Sequence, residues 1–326
     1  MSESLFRPGE SPEPFVRTTG LANWNRYAAV NDEFIDFHMD DAAAKAIGMP
    51  GVFGMGNLRV SYLHNLLADW LGDRGDIVEF GCEFRGLNLA GDVLTCEAVV
   101  DGVRPVDAAD AADAAGGRGE LADVTLGVRN QDGKDTTPGT ATVIAFGSGP
   151  FVVPAEPAPS APSGRAAPGT YLTGATIERI GATMPVVTAP AVGANDIARW
   201  VTATWWPKRP PRRFVDAAVA ADGPWGGPVA PRDFDPFAWT RRRPIGGDWL
   251  WAPGLAAGTR VLNGGQRNRY GAPIRPGDVV TATQRFVDVV ERETSRGPMV
   301  FFTSESRWTN QDGAMVRVGE ATTIYW

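Results

Sequence analysis

The feature that most constrains this chain is that it repeats itself. Gly91-Asp92-Val93-Leu94-Thr95 reads like Gly277-Asp278-Val279-Val280-Thr281, and Asn130-Gln131-Asp132-Gly133 recurs unchanged as Asn310-Gln311-Asp312-Gly313. After each Asn-Gln-Asp-Gly, seven residues pass before Ala-Thr-x-Ile and an aromatic end, at 141–146 and 321–326. The Gly-Asp to Asn-Gln spacing is 39 residues in the first copy and 33 in the second; the small-residue stretch at 107–119 accounts for the surplus as a loop insertion. Three matches in one order imply two copies of one domain. The length of 326 residues agrees, at roughly 150 residues per domain. Between the copies, 147–170 holds six prolines and reads as an extended, semi-rigid linker. The expected division is a first domain over 1–148, a Pro/Ala-rich linker over 149–170 and a second domain over 171–326.

Each copy has the same coarse plan. A helix before position 40 has a counterpart near 195–204, followed by Gly/Pro-rich text and then strands. Copy one offers DIVEFGCEF, GDVLTCEAVV, LADVTLGVR and TATVIAF. Copy two offers RVLNGGQRNRY, DVVTATQRFVDVV, MVFFTSESRWT and ATTIYW. Asn-Gln-Asp-Gly suits a tight hairpin between the last two strands. A long helix, at about 55–71, precedes the strands of copy one and is apolar nearly all round, so it is expected to be buried. The fold class is α+β, an antiparallel sheet wrapped round a helix, in tandem.

Composition excludes several functions. The net charge of −7 argues against a general nucleic-acid binder. No apolar run reaches the roughly 18 residues of a membrane span, and the N-terminus does not read as a secretory signal. Cys82 and Cys96 lack metal or disulfide-framework spacing and read as core thiols, which makes a cytoplasmic location the expectation. No metal is expected.

Two histidines occur, both in copy one. His38 follows three carboxylates, Asp32, Glu33 and Asp36, within six residues. That is either a solvated acidic loop or a carboxylate–imidazole pair for acid/base work. The stretch Gly51-Val52-Phe53-Gly54-Met55-Gly56 opens the long helix, so free N–H groups and the positive end of its dipole face whatever lies there, as an oxyanion would require. On the helix, Asn57, Ser61 and His64 form one polar stripe, which is either satisfied internally or lines a ligand tunnel. In copy two, Arg209, Arg212 and Arg213, and Arg241, Arg242 and Arg243, are Arg clusters that suit phosphate or form solvated loops. Trp200, Trp205, Trp206, Trp225, Trp239, Trp249 and Trp251 are core or the lining of a bulky pocket.

Together these residues resemble the MaoC-like (R)-specific enoyl-CoA hydratases. That family's first signature, roughly S/T-G-D-x-N-P-x-H-x5-A/S, corresponds to Asn31 through His38, with Ala44 six residues on; its A-H-G-M corresponds to Gly54-Met55-Gly56-Asn57. In copy two the likeness rests on Gly227-Pro228-Val229-Ala230-Pro231, on 262–266 and on Arg275-Pro276-Gly277-Asp278. Trp205-Trp206-Pro207 stands where copy one has Asp32-Glu33, and copy two has no histidine. The pattern departs at Ile35, Asp36 and Met55. The resemblance implies a double hotdog in which one half keeps the chemistry and the other widens the acyl tunnel. It implies reversible addition of water across the 2,3-double bond of an enoyl thioester carried on CoA or acyl carrier protein, with no further cofactor. His38 and an acid, Glu33 before Asp32 before Asp36, would hold and activate the water. Gly56, with Gly54, Asn57, Ser61 and His64 nearby, would bind the thioester. A non-catalytic acyl-thioester-binding subunit and, below it, a hotdog thioesterase are the alternatives; the helix offers no carboxylate before Asp69. A homodimer or a partner subunit is compatible with the sequence.

Overall fold

The computed structural model describes residues 4–106, 119–146, 155–240 and 261–326. In the first copy, β1 (Phe15–Thr18) leads into helix α1 (Leu21–Asn31), the short helices α2 (Asp36–Met39) and α3 (Asp41–Ala46), and α4 (Gly56–Leu71). Strands β2 (Gly75–Glu83), β3 (Val93–Pro105), β4 (Glu120–Arg129) and β5 (Asp135–Ala145) follow. The second copy has α5 (Gly174–Ile177), β6 (Val187–Thr188), α6 (Ala194–Trp205), α7 (Ala217–Ala221), β7 (Val261–Tyr270), β8 (Thr281–Thr294), β9 (Gly297–Thr309) and β10 (Met315–Tyr325).

All ten strands make one antiparallel sheet, in the order β1-β3-β4-β5-β2-β7-β10-β9-β8-β6. The order is the same read inward from either edge, copy for copy, so the repeat is a two-fold arrangement about the β2–β7 pair. There Glu79 lies opposite Arg269 and Gly81 opposite Arg267. The Glu79 carboxylate also accepts from the Arg269 guanidinium across that seam.

The repeated motifs bond to each other, which explains their recurrence. In each Asn-Gln-Asp-Gly turn the Asn side-chain oxygen accepts two backbone N–H groups, at Asp132 and Lys134 in one copy and Asp312 and Ala314 in the other. Gly133 and Gly313 take φ of 73° and 78°, the left-handed region where a Cβ is costly. The adjacent Gln131 donates to Asp92 (2.8 Å) and accepts from Val93 N–H; Gln311 does the same with Asp278 (3.2 Å) and Val279. The Gly-Asp and Asn-Gln-Asp-Gly motifs are therefore two halves of one structural latch, and their repetition carries fold rather than chemistry.

Helix α4 lies in the concave side of the first half-sheet, with Leu58, Leu63, Leu66 and Leu67 buried. One core runs through both copies: Trp24 and Tyr27 of α1, Leu63 of α4, Trp200 and Trp205 of α6, and Tyr270 and Trp308 of the second half-sheet. α1 packs on α6, with the rings of Tyr27 and Trp200 5.8 Å apart. The two copies thus share one sheet and one core.

Two differences concern the second copy. Among the described residues no helix there matches α4, and α6 is the counterpart of α1. Phe286, Val289, Val300, Phe302 and Tyr325 of β8–β10 form a smaller core with Leu172, against which Ile177 and Ile180 pack. The described part of the linker, 155–170, lacks regular structure as expected but is fastened to strands. Glu305 accepts from Ser160 N–H, and Glu291 accepts from Thr170, Tyr171 and Leu172 N–H. Of the first-copy insertion at 107–119, only its last residue lies among the described residues; 147–154 of the linker also lies outside them.

Candidate functional site

The acidic loop begins where α1 stops. Asp32 caps the helix in the left-handed region, φ 49°, with its N–H bonded to Ala28 O; aspartate tolerates this conformation better than most residues. That turn sends the next side chain inward. Glu33 is buried, Asp32 is half-buried and Asp36, in the first turn of α2, is exposed. Glu33 Oε2 accepts from Asn31 Nδ2 at 2.8 Å. Of the three carboxylates, Glu33 is the one that shares the interior with the histidine.

α2 carries His38 inward, to 6 % exposure. Its Nδ1 lies 2.7 Å from Phe53 O. A carbonyl can only accept, so Nδ1 holds the proton and Nε2 keeps a lone pair. The rings of Phe37 and Phe53 lie 4.6 and 4.8 Å away. Burial, partly opposed by the Phe53 carbonyl, lowers the His38 pKa to about 4. The ring is therefore neutral at pH 7, in the form that accepts a proton.

Phe53, which holds His38, leads straight into the glycine turn. Gly54 N–H donates to Asn88 O at 2.9 Å. A Cβ on Gly54 would sit 2.3 Å from Asn88 Nδ2 and 2.5 Å from Trp24 Nε1, so no side chain fits. Gly56 is the first residue of α4, and the Phe84 ring lies 3.1 Å from where its Cβ would be. The Gly56 backbone N–H belongs to the unpaired first turn of the helix.

The polar stripe runs along the side of α4 that meets β7. Asn57 Oδ1 is 3.5 Å from Asn263 Nδ2. Ser61 is buried and its Oγ has no partner. His64 is wholly committed: Nδ1 donates to Val60 O (2.9 Å) and Nε2 accepts from the Tyr270 hydroxyl (2.8 Å), with Phe80 alongside. Its two bonds are those of an internally satisfied residue that ties the halves together. The expectation of His64 in the substrate-binding set has no free ring nitrogen to rest on.

The symmetry-related position in copy two is built differently. Ala230 N–H donates to Ile274 O as Gly54 N–H does to Asn88 O, which puts Arg232 on the counterpart of Gly56 and Asp233 on that of Asn57. Arg232 Nε donates to Asp76 Oδ2 at 2.9 Å. A side chain and its ion pair thus stand where copy one offers a bare helix start.

The Arg and Trp expectations divide. Arg212 pairs with Asp216, Arg213 is held by Ala68 O and Asp73, and Arg209 is exposed. Trp200 and Trp205 are core; Trp225 packs edge-on to Phe146; Trp206 lies under Arg26; Trp239 is 63 % exposed and donates to Ala29 O. Arg241, Arg242, Arg243, Trp249 and Trp251 lie outside the described residues. Phe84, Asn88 and Tyr270 lie in no motif and carry no sequence signal, and Phe53, inside the glycine stretch, has none that marks its carbonyl as the partner of His38. Arg59 was missed, although a cation in an apolar helix was a visible signal.

These features place the chain among known folds. Residues 178–318 match the model of the FAS1-like dehydratase domain region. The chain has a double hotdog fold. A protein described as a MaoC domain protein dehydratase, from Chloroflexus aurantiacus J-10-fl, superposes with a TM-score of 0.64 at 13 % identity, over 98 % of this chain and 95 % of that one. A conserved hypothetical protein of Mycobacterium tuberculosis with a double hotdog fold gives 0.61 at 13 % identity, over 98 % and 97 %. Peroxisomal multifunctional enzyme type 2 from Drosophila melanogaster gives 0.52 at 13 % identity, over 96 % of this chain and 48 % of that one. No curated protein sequence matches the chain. No helix among the described residues is long and apolar enough to cross a membrane.

Proposed function

We propose that this double hotdog adds water reversibly across the 2,3-double bond of an enoyl thioester, with one working site per chain, in the first half. The observation that carries the reading is that one short loop buries two titratable side chains, Glu33 and His38. His38 is locked by Phe53 O with Nε2 free, and Glu33 is turned inward by the Asp32 cap. Both are followed by a glycine turn that opens a buried helix.

In this reading Glu33 and His38 hold one water. One takes its proton as oxygen attacks C3, and the other delivers a proton to C2, so that proton transfer is divided between two positioned groups. The thioester oxygen gains charge in the same step, and the Gly56 N–H at the head of α4 donates a hydrogen bond to it. CoA or acyl carrier protein enters as part of the substrate. The Arg232–Asp76 pair occupies the other half's equivalent of Gly56, which supports a single site. The protein is further proposed to work in the cytoplasm, alone or as a homodimer.

Absorbance of the conjugated thioester tests this on crotonyl-CoA and on a bulky enoyl-CoA. Its loss without release of free thiol is the expected result. Binding without turnover would favour an acyl-thioester-binding subunit, and free thiol would favour a thioesterase.

A further inference from the structure

Arg59 lies on α4 three residues after Gly56 and is 4 % exposed. Its Nη1 donates to Gly86 O (2.7 Å) and Thr136 O (3.2 Å), both neutral carbonyls, and its Nε has no partner. No carboxylate pairs with it among the described residues. Burial lowers its pKa to about 10, so the guanidinium stays charged at pH 7. A buried guanidinium without a counter-ion is costly.

Its position adds to the cost. A helix start is already the positive end of the macrodipole and favours anions, yet α4 has no acidic residue in its first turn and carries this cation one turn in. The Phe84 ring connects the two places: it lies 3.1 Å from the Cβ position of Gly56 and 5.2 Å, by its centroid, from the Arg59 guanidinium carbon. Two sources of positive potential therefore converge on one end of one helix, and among the described residues no carboxylate pairs with Arg59 or lies in the helix's first turn.

We infer that Arg59 supplies a permanent positive charge to the oxyanion site at Gly56, so that the missing anion is the enolate formed on the bound thioester. This rests on the reading of the site given above. Arg59 touches no reacting atom in this account; it acts through the field at the helix start. A unit charge acting through a partly screened interior is worth roughly 10- to 30-fold on a step that develops an enolate.

The test uses acetoacetyl-CoA, whose enolate absorbs in the near ultraviolet, with the full-length wild type and Arg59→Lys, Arg59→Gln and Arg59→Met. The expected result is an enolate fraction that wild type and Arg59→Lys both raise, with a roughly 10- to 30-fold weaker effect in the folded neutral variant. Crotonyl-CoA kinetics should show a matching loss in kcat at nearly constant KM. Equal enolate fractions in all folded variants, or equal impairment of Lys and the neutral variants, would overturn the inference and leave Arg59 as a brace for Gly86 and Thr136. So would a wild type that binds acetoacetyl-CoA without raising its enolate. A wild type that raises the enolate in this Arg59-dependent way but does not hydrate crotonyl-CoA would sink the hydratase reading and leave the inference standing.

Discussion

His38 and Glu33 lie five residues apart, and a backbone cap decides which acid is buried as the histidine is. Because Asp32 sits in the left-handed region, Glu33 turns inward and Asp36 is left in solvent. Glu33→Gln should therefore cut turnover by roughly 10²-fold or more, while Asp36→Asn leaves it within a few-fold, in the same enoyl-thioester assay. His38 also sets a pH dependence. Its pKa is about 4 in the folded chain and 6.5 in the unfolded one. The unfolded chain thus binds the proton first, and stability falls as pH drops from 6.5 to 4. The loss amounts to roughly 3 kcal/mol. Denaturant unfolding of His38→Gln should show a smaller fall than wild type over that interval; an identical fall would place the acid sensitivity elsewhere. At this scale the sequence exposed His38 because histidine is rare here. The family resemblance put Glu33 first of the three carboxylates, but the residues by themselves could not, since side-chain direction depends on a φ angle at Asp32 that no motif encodes.

At the scale of elements, the repeat was read correctly as two copies, and its physical content is the latch. Asn130 and Asn310 each hold two backbone N–H groups in matching turns. Alanine at either should cost about 1–3 kcal/mol of stability by thermal or denaturant unfolding, with the two losses of similar size. Gly54→Ala drives a methyl group into Asn88 and Trp24 and should cost about 1–3 kcal/mol, more than Gly56→Ala, where the neighbour is one ring edge of Phe84. The strands and α4 were legible from their apolar patterns and turn residues. The absence of an α4 counterpart among the described residues of copy two was not legible, because Gly/Pro-rich text reads alike whether or not it leads into a helix. Nor was the linker's fastening, which depends on Glu291 and Glu305 in strands more than a hundred residues away. At Glu291, burial raises the carboxyl pKa but three backbone N–H bonds outweigh it, so the net direction is down. Its contribution is present above the ordinary glutamate range and is lost as pH falls through the lowered pKa.

For the whole molecule, one sheet and one core span both copies. Calorimetry should therefore give a single cooperative transition, and the isolated 1–148 segment should not reach a native state, since β2 would lose β7 and α1 would lose α6. Two resolved transitions would contradict the shared core. The same union gives the first half its setting: β7 runs beside α4, Tyr270 fixes His64, and among the described residues the second half has no counterpart of α4. The most direct test of the central claim is the absorbance of crotonyl-CoA with wild type beside His38→Ala at matched, verified fold. The account predicts that absorbance falls with wild type, releases no thiol, and stays flat with the variant. Equal rates in the two proteins would contradict it.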